Sequence, residues 1–172
     1  DWAKVCFERA LNLDSKNVDA HYNLAKLYKQ LNYVEEALLN YEEVISLDPN
    51  RFDAMINMAN ILVEQGRFRD AITYLNKAAK GESNSDRAFI NLGNTYRRMG
   101  LAEKAVEAYD NALGIRYHDG LRIKRALTLP VVYQSQAQIN DWRSSLEIKV
   151  RELLKEEIIV TDPSLETSTT NF

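Results

Sequence analysis

Three asparagines are the residues of this chain whose type and spacing best suit recognition chemistry. Asn23, Asn57 and Asn91 stand 34 residues apart, and Asn60 and Asn94 follow two of them by about one helical turn. A primary amide both donates and accepts, so it can pair with the C=O and the N–H of a peptide unit without reading its side chain. The series predicts contacts to the backbone of an extended polypeptide. The alternative is that the amides hydrogen-bond locally between helices.

Charged side chains accompany the asparagines on the same predicted helix faces. Lys26 belongs to the first face, and Arg87, Arg97 and Arg98 belong to the third. Because guanidinium groups bind carboxylates through paired hydrogen bonds, the arginines predict a cationic rim that favours acidic groups. A solvated helix face explains them equally well. The predicted peptide-binding residues are Asn23, Lys26, Asn57, Asn60, Asn91, Asn94, Arg87 and Arg98.

Residues that could do catalysis are few. His21 falls on the packing face of a predicted helix, so a satisfied packing role is expected for it. His118 and Asp119 have no nucleophile or metal-ligand pattern nearby in the sequence. Cys6 is the only cysteine, which excludes an intrachain disulfide and suits a buried thiol. We therefore expect no catalytic residue, metal or cofactor in this chain, and we expect that the chain itself is not an enzyme.

Composition narrows the classes of partner. The 172 residues carry a net charge of −3 and contain no run of Lys or Arg, so neither nucleic acid nor anionic lipid is an expected partner. No apolar stretch approaches the roughly 20 residues of a membrane-spanning helix. A single cysteine is compatible with a reducing compartment, and the predicted location is cytoplasmic.

Small residues repeat at the same interval as the asparagines. Where two helices cross with axes about 8–10 Å apart, only small side chains fit between them. They are Ala25, Ala59 and Gly93 in the first helices and Ala37, Ala71 and Ala105 in the second. The pattern predicts complete two-helix units at 18–51, 52–85 and 86–119. A lone second helix at 1–17 precedes them, as expected of a piece of a longer protein.

The period fails after residue 119. Residues 120–157 still predict two helices that cap or link the repeats, the first of which ends at Pro130. Ser135 followed by Gln138 is typical of a capping box at the start of the second. Residues 158–172 are rich in Ser and Thr and predict an extended tail that leads to a further domain.

The 34-residue unit over 1–119 resembles the tetratricopeptide repeat (TPR) family. That resemblance implies an all-α fold, a right-handed superhelix or α-solenoid of helix-turn-helix repeats with capping helices at its C-terminal end. It also implies a concave groove, lined by the first helix of each repeat, that holds a protein or peptide.

A narrower resemblance rests on the asparagine motifs and on the segment after the repeats. The motifs are Tyr22-Asn23-Leu24-Ala25, Ile56-Asn57-Met58-Ala59 and Ile90-Asn91-Leu92-Gly93, and the segments are 127–135 and 139–143. The motifs look like the asparagine ladder of O-linked N-acetylglucosamine transferases, and the segments are similar to those of SPINDLY proteins in that group. The resemblance implies a substrate-recruiting region that precedes a glycosyltransferase domain, with Asn23, Asn57 and Asn91 contacting the substrate backbone.

Two other functions compete with substrate recruitment. One is a general TPR adaptor, such as a receptor that clamps the C-terminal carboxylate of a chaperone. Tyr22 and Lys26 occupy positions where such clamps use Lys and Asn, and Asn91 occupies one where they use Arg, so that set is incomplete. The other is a scaffold that associates end to end through the apolar ends of its solenoid.

Overall fold

The protein is described by a computed structural model over residues 2–81, 85–130, 133–156 and 158. All regular secondary structure in these residues is α-helical, and the helices form antiparallel repeat pairs. The all-α, helical-repeat class predicted from the sequence is confirmed. The chain divides into two compact units, Asp1–Asn84 and Ser85–Phe172.

The described part of the first unit contains two helix pairs and a preceding helix. Its helices are α1 (Trp2–Leu13), α2 (Val18–Gln30), α3 (Val34–Leu47), α4 (Phe52–Glu64) and α5 (Phe68–Ala78). The closest packing is within the pairs, of α2 on α3 and of α4 on α5, while α1 packs on α2 and α3 packs on α4. Each helix therefore buries its apolar face against a neighbour in sequence, as expected of stacked repeats.

Small residues fill the helix crossings of the first unit. Ala25 and Ala37 are fully buried where α2 meets α3, and Ala59 and Ala71 are fully buried where α4 meets α5. The predicted placement of these alanines at the crossings is confirmed. Larger side chains close the surrounding space, and the largest fully buried ones in this unit are Tyr41, Ile56, Ile61, Leu62, Leu75 and Val44.

The turns between the two helices of each repeat use the left-handed backbone conformation. Asn32 has φ 61°, Gly66 has φ 76° and Gly100 has φ 74°. Glycine adopts this conformation without steric cost and asparagine tolerates it better than most residues. The sequence predicts these three residues at the ends of first helices for that reason, and the prediction is confirmed.

The second unit contains one helix pair and two further helices in its described residues. They are α6 (Ser85–Arg98), α7 (Ala102–Ile115), α8 (Asp119–Ala126) and α9 (Gln136–Leu153). α6 packs on α7, α7 on α8, and α8 on α9. A core cluster of Ala105, Tyr109, Ala112 and Leu121 joins α7 to α8. α8 thus continues the packing after the predicted period ends.

The start of α9 has the predicted cap. The Ser135 hydroxyl accepts a hydrogen bond from the backbone N–H of Gln138 at 3.1 Å. The return bond runs from the N–H of Gln134 to the Gln138 side-chain oxygen at 2.7 Å, one residue earlier than in a standard capping box. α9 ends at Leu153 rather than near residue 157. Residues 131–132 and, apart from Ile158, the predicted tail at 158–172 lie outside the described residues.

Candidate peptide-binding site

The first helices of two successive repeats lie side by side in the first unit. The side-chain nitrogen of Asn57 in α4 donates to the hydroxyl of Tyr22 in α2 at 3.1 Å. At the C-terminal ends of the same helices, Lys29 and Glu64 form an ion pair at 3.5 Å. These contacts join α2 to α4 at mid-length and at their ends, so the two helices present one surface.

Tyr22 lies at the centre of this surface. Its ring meets that of Tyr41 edge-on, with centroids 6.1 Å apart, and the Arg51 guanidinium lies 5.0 Å from its centroid. Arg51 also pairs with Asp19 at 2.8 Å and with Asp53 at 3.2 Å. Burial and then the Asp53 charge raise the pKa of Tyr22, so the phenol stays neutral. The contacts on both sides of the ring fix the hydroxyl that orients Asn57.

The predicted site residues of the first unit differ in whether their side chains already make hydrogen bonds within the protein. Asn23 donates from its side-chain nitrogen to the backbone C=O of Asp19 at 2.9 Å, one turn earlier in the same helix. Asn57 uses its nitrogen on Tyr22 and keeps its amide oxygen as an acceptor. Asn60 is half-buried, and no side-chain hydrogen bond joins it to another described residue. Lys26 is exposed.

In the second unit, the asparagines of α6 also differ. The Asn94 side-chain oxygen accepts from the hydroxyl of Tyr109 at 2.8 Å. Burial raises the pKa of Tyr109 to about 12, so this hydroxyl remains a donor at neutral pH. Asn91 is half-buried; its backbone C=O accepts from Thr95 at 2.7 Å, whereas its side-chain amide has no hydrogen bond to a described residue. Arg87 and Arg98, also predicted here, are exposed.

The asparagines therefore differ in whether the protein itself uses their amides. Asn57 and Asn94 make hydrogen bonds between helices, as the local alternative expects, whereas Asn23 bonds within its own helix. Asn60 and Asn91 keep amides that the described protein does not use. Contact with a polypeptide backbone stays a prediction for all five.

The candidate catalytic residues have structural partners. Nδ1 of His21 lies 2.9 Å from the side-chain oxygen of Asn40, and Nε2 lies 3.1 Å from the backbone oxygen of Ser15, which fits the expected packing role. Nε2 of His118 lies 3.7 Å from the buried carboxylate of Asp86, and it has no hydrogen bond to a described residue. Over the residues that the structure describes, no group of three or more His, Cys, Asp or Glu side chains could hold a metal ion.

Lys124 in α8 is the residue that the sequence analysis missed. It is only 5% exposed, and burial followed by the charge of Arg97 lowers the pKa of its ammonium group. Lys124 stands 34 residues after Ile90, which itself stands 34 after Ile56. Continuing the 34-residue count past residue 119 would therefore have placed this lysine at a first-helix position.

Comparison with known proteins agrees with the repeat architecture. Tetratricopeptide repeat models match residues 34–80 and 86–119, and a TPR repeat model matches residues 3–32. Among curated protein sequences, none matches the chain. None of the helices in the described ranges is long and apolar enough to cross a membrane.

Several solved structures share the fold at low sequence identity. A crystal structure of MamA is 20% identical with a TM-score of 0.73, over 88% of this chain and 85% of that one. The N-terminal domain of stress-induced protein-1 from C. elegans is 20% identical with a TM-score of 0.59, over 63% and 91%. PilF of Pseudomonas aeruginosa is 20% identical with a TM-score of 0.68, over 88% and 66%. These neighbours share the all-α fold. The helix pairs and the three family models assign the chain to the tetratricopeptide repeat proteins, as a protein-interaction module.

Proposed function

We propose that the chain binds an extended segment of another protein along the first helices of its repeats. The surfaces concerned are α2 with α4 in the first unit and α6 in the second. The observation that carries this proposal is the state of Asn60 and Asn91. Both side chains are half-buried on first helices, yet neither amide is hydrogen-bonded to another described residue.

A hydrogen bond from a peptide partner stabilises a half-buried amide because burial has already removed part of its hydration. A protein hydrogen bond contributes about 0.5–1.5 kcal/mol net, and an unsatisfied buried polar group costs about 1–3 kcal/mol. One amide can accept from a peptide N–H and donate to its C=O, which requires no particular side chain on the ligand. Asn57 supports the same contact in the first unit, because Tyr22 holds its nitrogen and leaves its oxygen to accept.

Selection from a library of unstructured random peptides tests this proposal. The affinity of selected peptides would be measured by calorimetry for the unaltered chain and for Asn60→Ala and Asn91→Ala. Each substitution is expected to weaken binding by about 3- to 30-fold, because one or two hydrogen bonds are lost. Melting temperatures should hardly change, since the described protein does not use these amides.

Matched controls come from the second helices. Asn76 in α5 and Asn111 in α7 are exposed asparagines, so their alanine variants should bind the selected peptides normally. Equal affinities for all four variants would overturn the proposal. So would a loss of binding that merely follows a loss of helicity, because the asparagines would then be structural.

Recruitment of substrate for a glycosyltransferase is the second candidate. It rests on resemblance alone, that of the three asparagine motifs and of segments 127–135 and 139–143 to parts of such proteins. The family models and solved structures compared above do not add support for this resemblance, so substrate recruitment stays a prediction. A longer gene product that includes this chain would be incubated with labelled sugar nucleotides and a cell extract. Protein labelling that requires Asn57 and Asn91 is the expected result, and retention of proteins without labelling would favour a general adaptor.

End-to-end association and a cytoplasmic location also stay predictions. Trp2 and Val5 on α1 are 82% and 58% exposed, which gives self-association an apolar surface. Sedimentation analysis of the chain beside Trp2→Gln with Val5→Gln would test it. Concentration-dependent dimers are expected only for the unaltered chain, and identical monomeric profiles would contradict association through α1.

A further inference from the structure

Two cationic side chains of the second unit come together without an acidic partner. Lys124 in α8 is 5% exposed, and Nε of Arg97, in the last turn of α6, is buried without a hydrogen-bond acceptor. No ion pair joins either of them to a carboxylate among the described residues. The two charges lie close enough for Arg97 to lower the pKa of Lys124. An arrangement of this kind is costly unless an anion completes it.

Other basic residues of α8 do have acidic partners. Arg122 pairs with Glu156 at 2.6 Å, and Arg125 pairs with both carboxylate oxygens of Asp110 through Nε and Nη2 of its guanidinium. These pairs use the other face of the helix. The face that carries Lys124 therefore differs from its surroundings in having positive charge alone.

Neutral polar groups adjoin Arg97. Tyr109 donates its hydroxyl to Asn94 at 2.8 Å, and the Arg97 guanidinium partly opposes the rise that burial causes in the pKa of this phenol. Asn94, Tyr109 and Arg97 thus form one connected polar cluster, and the charge of Lys124 lies close enough to interact with Arg97. Asn91 lies on the same helix as Asn94, one turn earlier, so the cluster continues the proposed peptide-binding surface of α6.

We infer that Arg97 and Lys124 bind a carboxylate, supplied by an acidic residue of the polypeptide segment that lies along α6. The guanidinium fork can hold a carboxylate through two hydrogen bonds, and the ammonium adds a compact second charge. Arg97 as a whole is half-buried, and the ammonium nitrogen of Lys124 is not among the fully buried atoms that lack a partner, so a group from solvent can reach both side chains. The inference rests on the proposed function, because its ligand is the polypeptide segment proposed there. It adds that this segment must carry an acidic side chain.

The test follows the Nε–Hε signal of Arg97 by two-dimensional NMR. The probes are N-acetylglutamate α-amide, which carries one side-chain carboxylate, and N-acetylglutamine α-amide, its neutral isostere. The expected result is a saturable shift of this signal with the glutamate probe alone. Equal responses to both probes, or no response to the glutamate probe, would overturn the inference.

Charge-removing variants identify the groups that bind. Lys124→Met should weaken the response to the glutamate probe by about tenfold, the effect of losing roughly 1.4 kcal/mol of interaction. Lys155→Met removes an exposed lysine of the same unit and should leave the response unchanged. Equal responses in these two variants would exclude Lys124 from the site. Arg97→Gln, checked by backbone amide shifts, should abolish binding.

The small probes separate this inference from the proposed function. Asn91→Ala should weaken selected peptides and leave the glutamate probe unaffected, so either proposal can fail alone. A carboxylate could also come from the chain's own Asp162 or Glu166. If it does, Asp162→Asn with Glu166→Gln should shift the Arg97 signal without a probe and strengthen probe binding. An unchanged signal would assign the carboxylate to a partner.

Discussion

The ring of Tyr109 in α7 occupies the space that a Cβ atom at position 93 in α6 would need. Both residues are buried where the two helices of the third repeat cross. The corresponding crossings of the first unit have alanine in place of Gly93, at Ala25 and Ala59. In the third repeat, the ring of Tyr109 therefore lies closer to the backbone of α6 than any side chain at position 93 would allow.

Gly93→Ala is expected to destabilise the second unit. Overpacking a buried site costs about 1–3 kcal/mol, whereas replacing glycine by alanine within a helix gains about 1 kcal/mol. The ring of Tyr109 is held by its hydrogen bond to Asn94, so it cannot move away without a further loss. Urea unfolding should show a net decrease in the free energy of unfolding.

Gly114 in α7 provides the matched control. A Cβ at this position would have no neighbouring atom within 4 Å, so Gly114→Ala should raise stability by about 0.5–1 kcal/mol. Stabilisation by both substitutions would contradict the close packing of Tyr109 against Gly93.

The part of the fold that depends on local rules could be predicted from the sequence. The left-handed turn at Gly100 and the cap at Ser135 follow from backbone conformation and hydrogen bonding within a few residues. The small residues at helix crossings follow from the repeat interval. The repeat interval assigns position 93 to a crossing. Whether that position requires glycine rather than alanine depends on where the ring of Tyr109 lies, which the interval does not reveal.

The site was harder to predict because its contacts join different helices. Asn57 and Tyr22 are 35 positions apart, and their hydrogen bond depends on side-chain directions in two repeats. The spacing of the asparagines was visible in the sequence, but which amides would be used internally was not. Lys124 was missed for another reason, since the apolar pattern weakens after residue 119 while the 34-residue register continues through α8.

Tyr109→Phe is expected to lower the free energy of unfolding at neutral pH. It is also expected to make that free energy fall less steeply at alkaline pH. The variant loses the hydrogen bond to Asn94, which costs about 1–2 kcal/mol when the partner stays buried. Burial raises the pKa of Tyr109 to about 12 from 10.0. Between these values the unfolded chain releases its proton first, so stability present below pH 10 is lost as the pH rises towards 12.

The measurement for this substitution is denaturant unfolding as a function of pH. Tyr109→Phe should show a shallower alkaline decline than the unaltered chain, because the phenylalanine has no proton to release. Tyr33→Phe, at an exposed position, controls for removal of a tyrosine hydroxyl and should follow the unaltered chain. Parallel curves for Tyr109→Phe and the unaltered chain would contradict the proton linkage.

Ser135→Ala is expected to loosen the first turn of α9. The Ser135 hydroxyl accepts the otherwise unpaired N–H of Gln138, and loss of such a cap costs about 1 kcal/mol. Amide hydrogen exchange should therefore accelerate at the start of α9. Ser144→Ala is the control, since Ser144 is exposed within the same helix, where alanine is the better helix former. Faster exchange in both variants would indicate that α9 is sensitive to any substitution rather than to its cap.

Lys124→Met is expected to stabilise the free protein, although it removes a group proposed to bind ligand. A largely buried lysine side chain whose charge lies near Arg97 is unfavourable, and replacing it by an apolar side chain of similar length can contribute about 1 kcal/mol. The gain should depend on pH because the pKa of Lys124 is lowered from 10.5. Well below the lowered pKa, both states hold the proton and the variant has its full advantage.

As the pH rises through the lowered pKa towards 10.5, the folded protein releases this proton while the unfolded chain retains it. The unfolded state then binds more protons, so the unaltered protein gains stability relative to Lys124→Met and the difference between them narrows. Paired urea titrations from about pH 7 upward would measure that difference, and tyrosine ionisation cancels because both proteins contain the same tyrosines. A constant difference for Lys124→Met would mean that its amine is hydrated in the folded protein, and the cost that favours an anion beside Arg97 would then be absent.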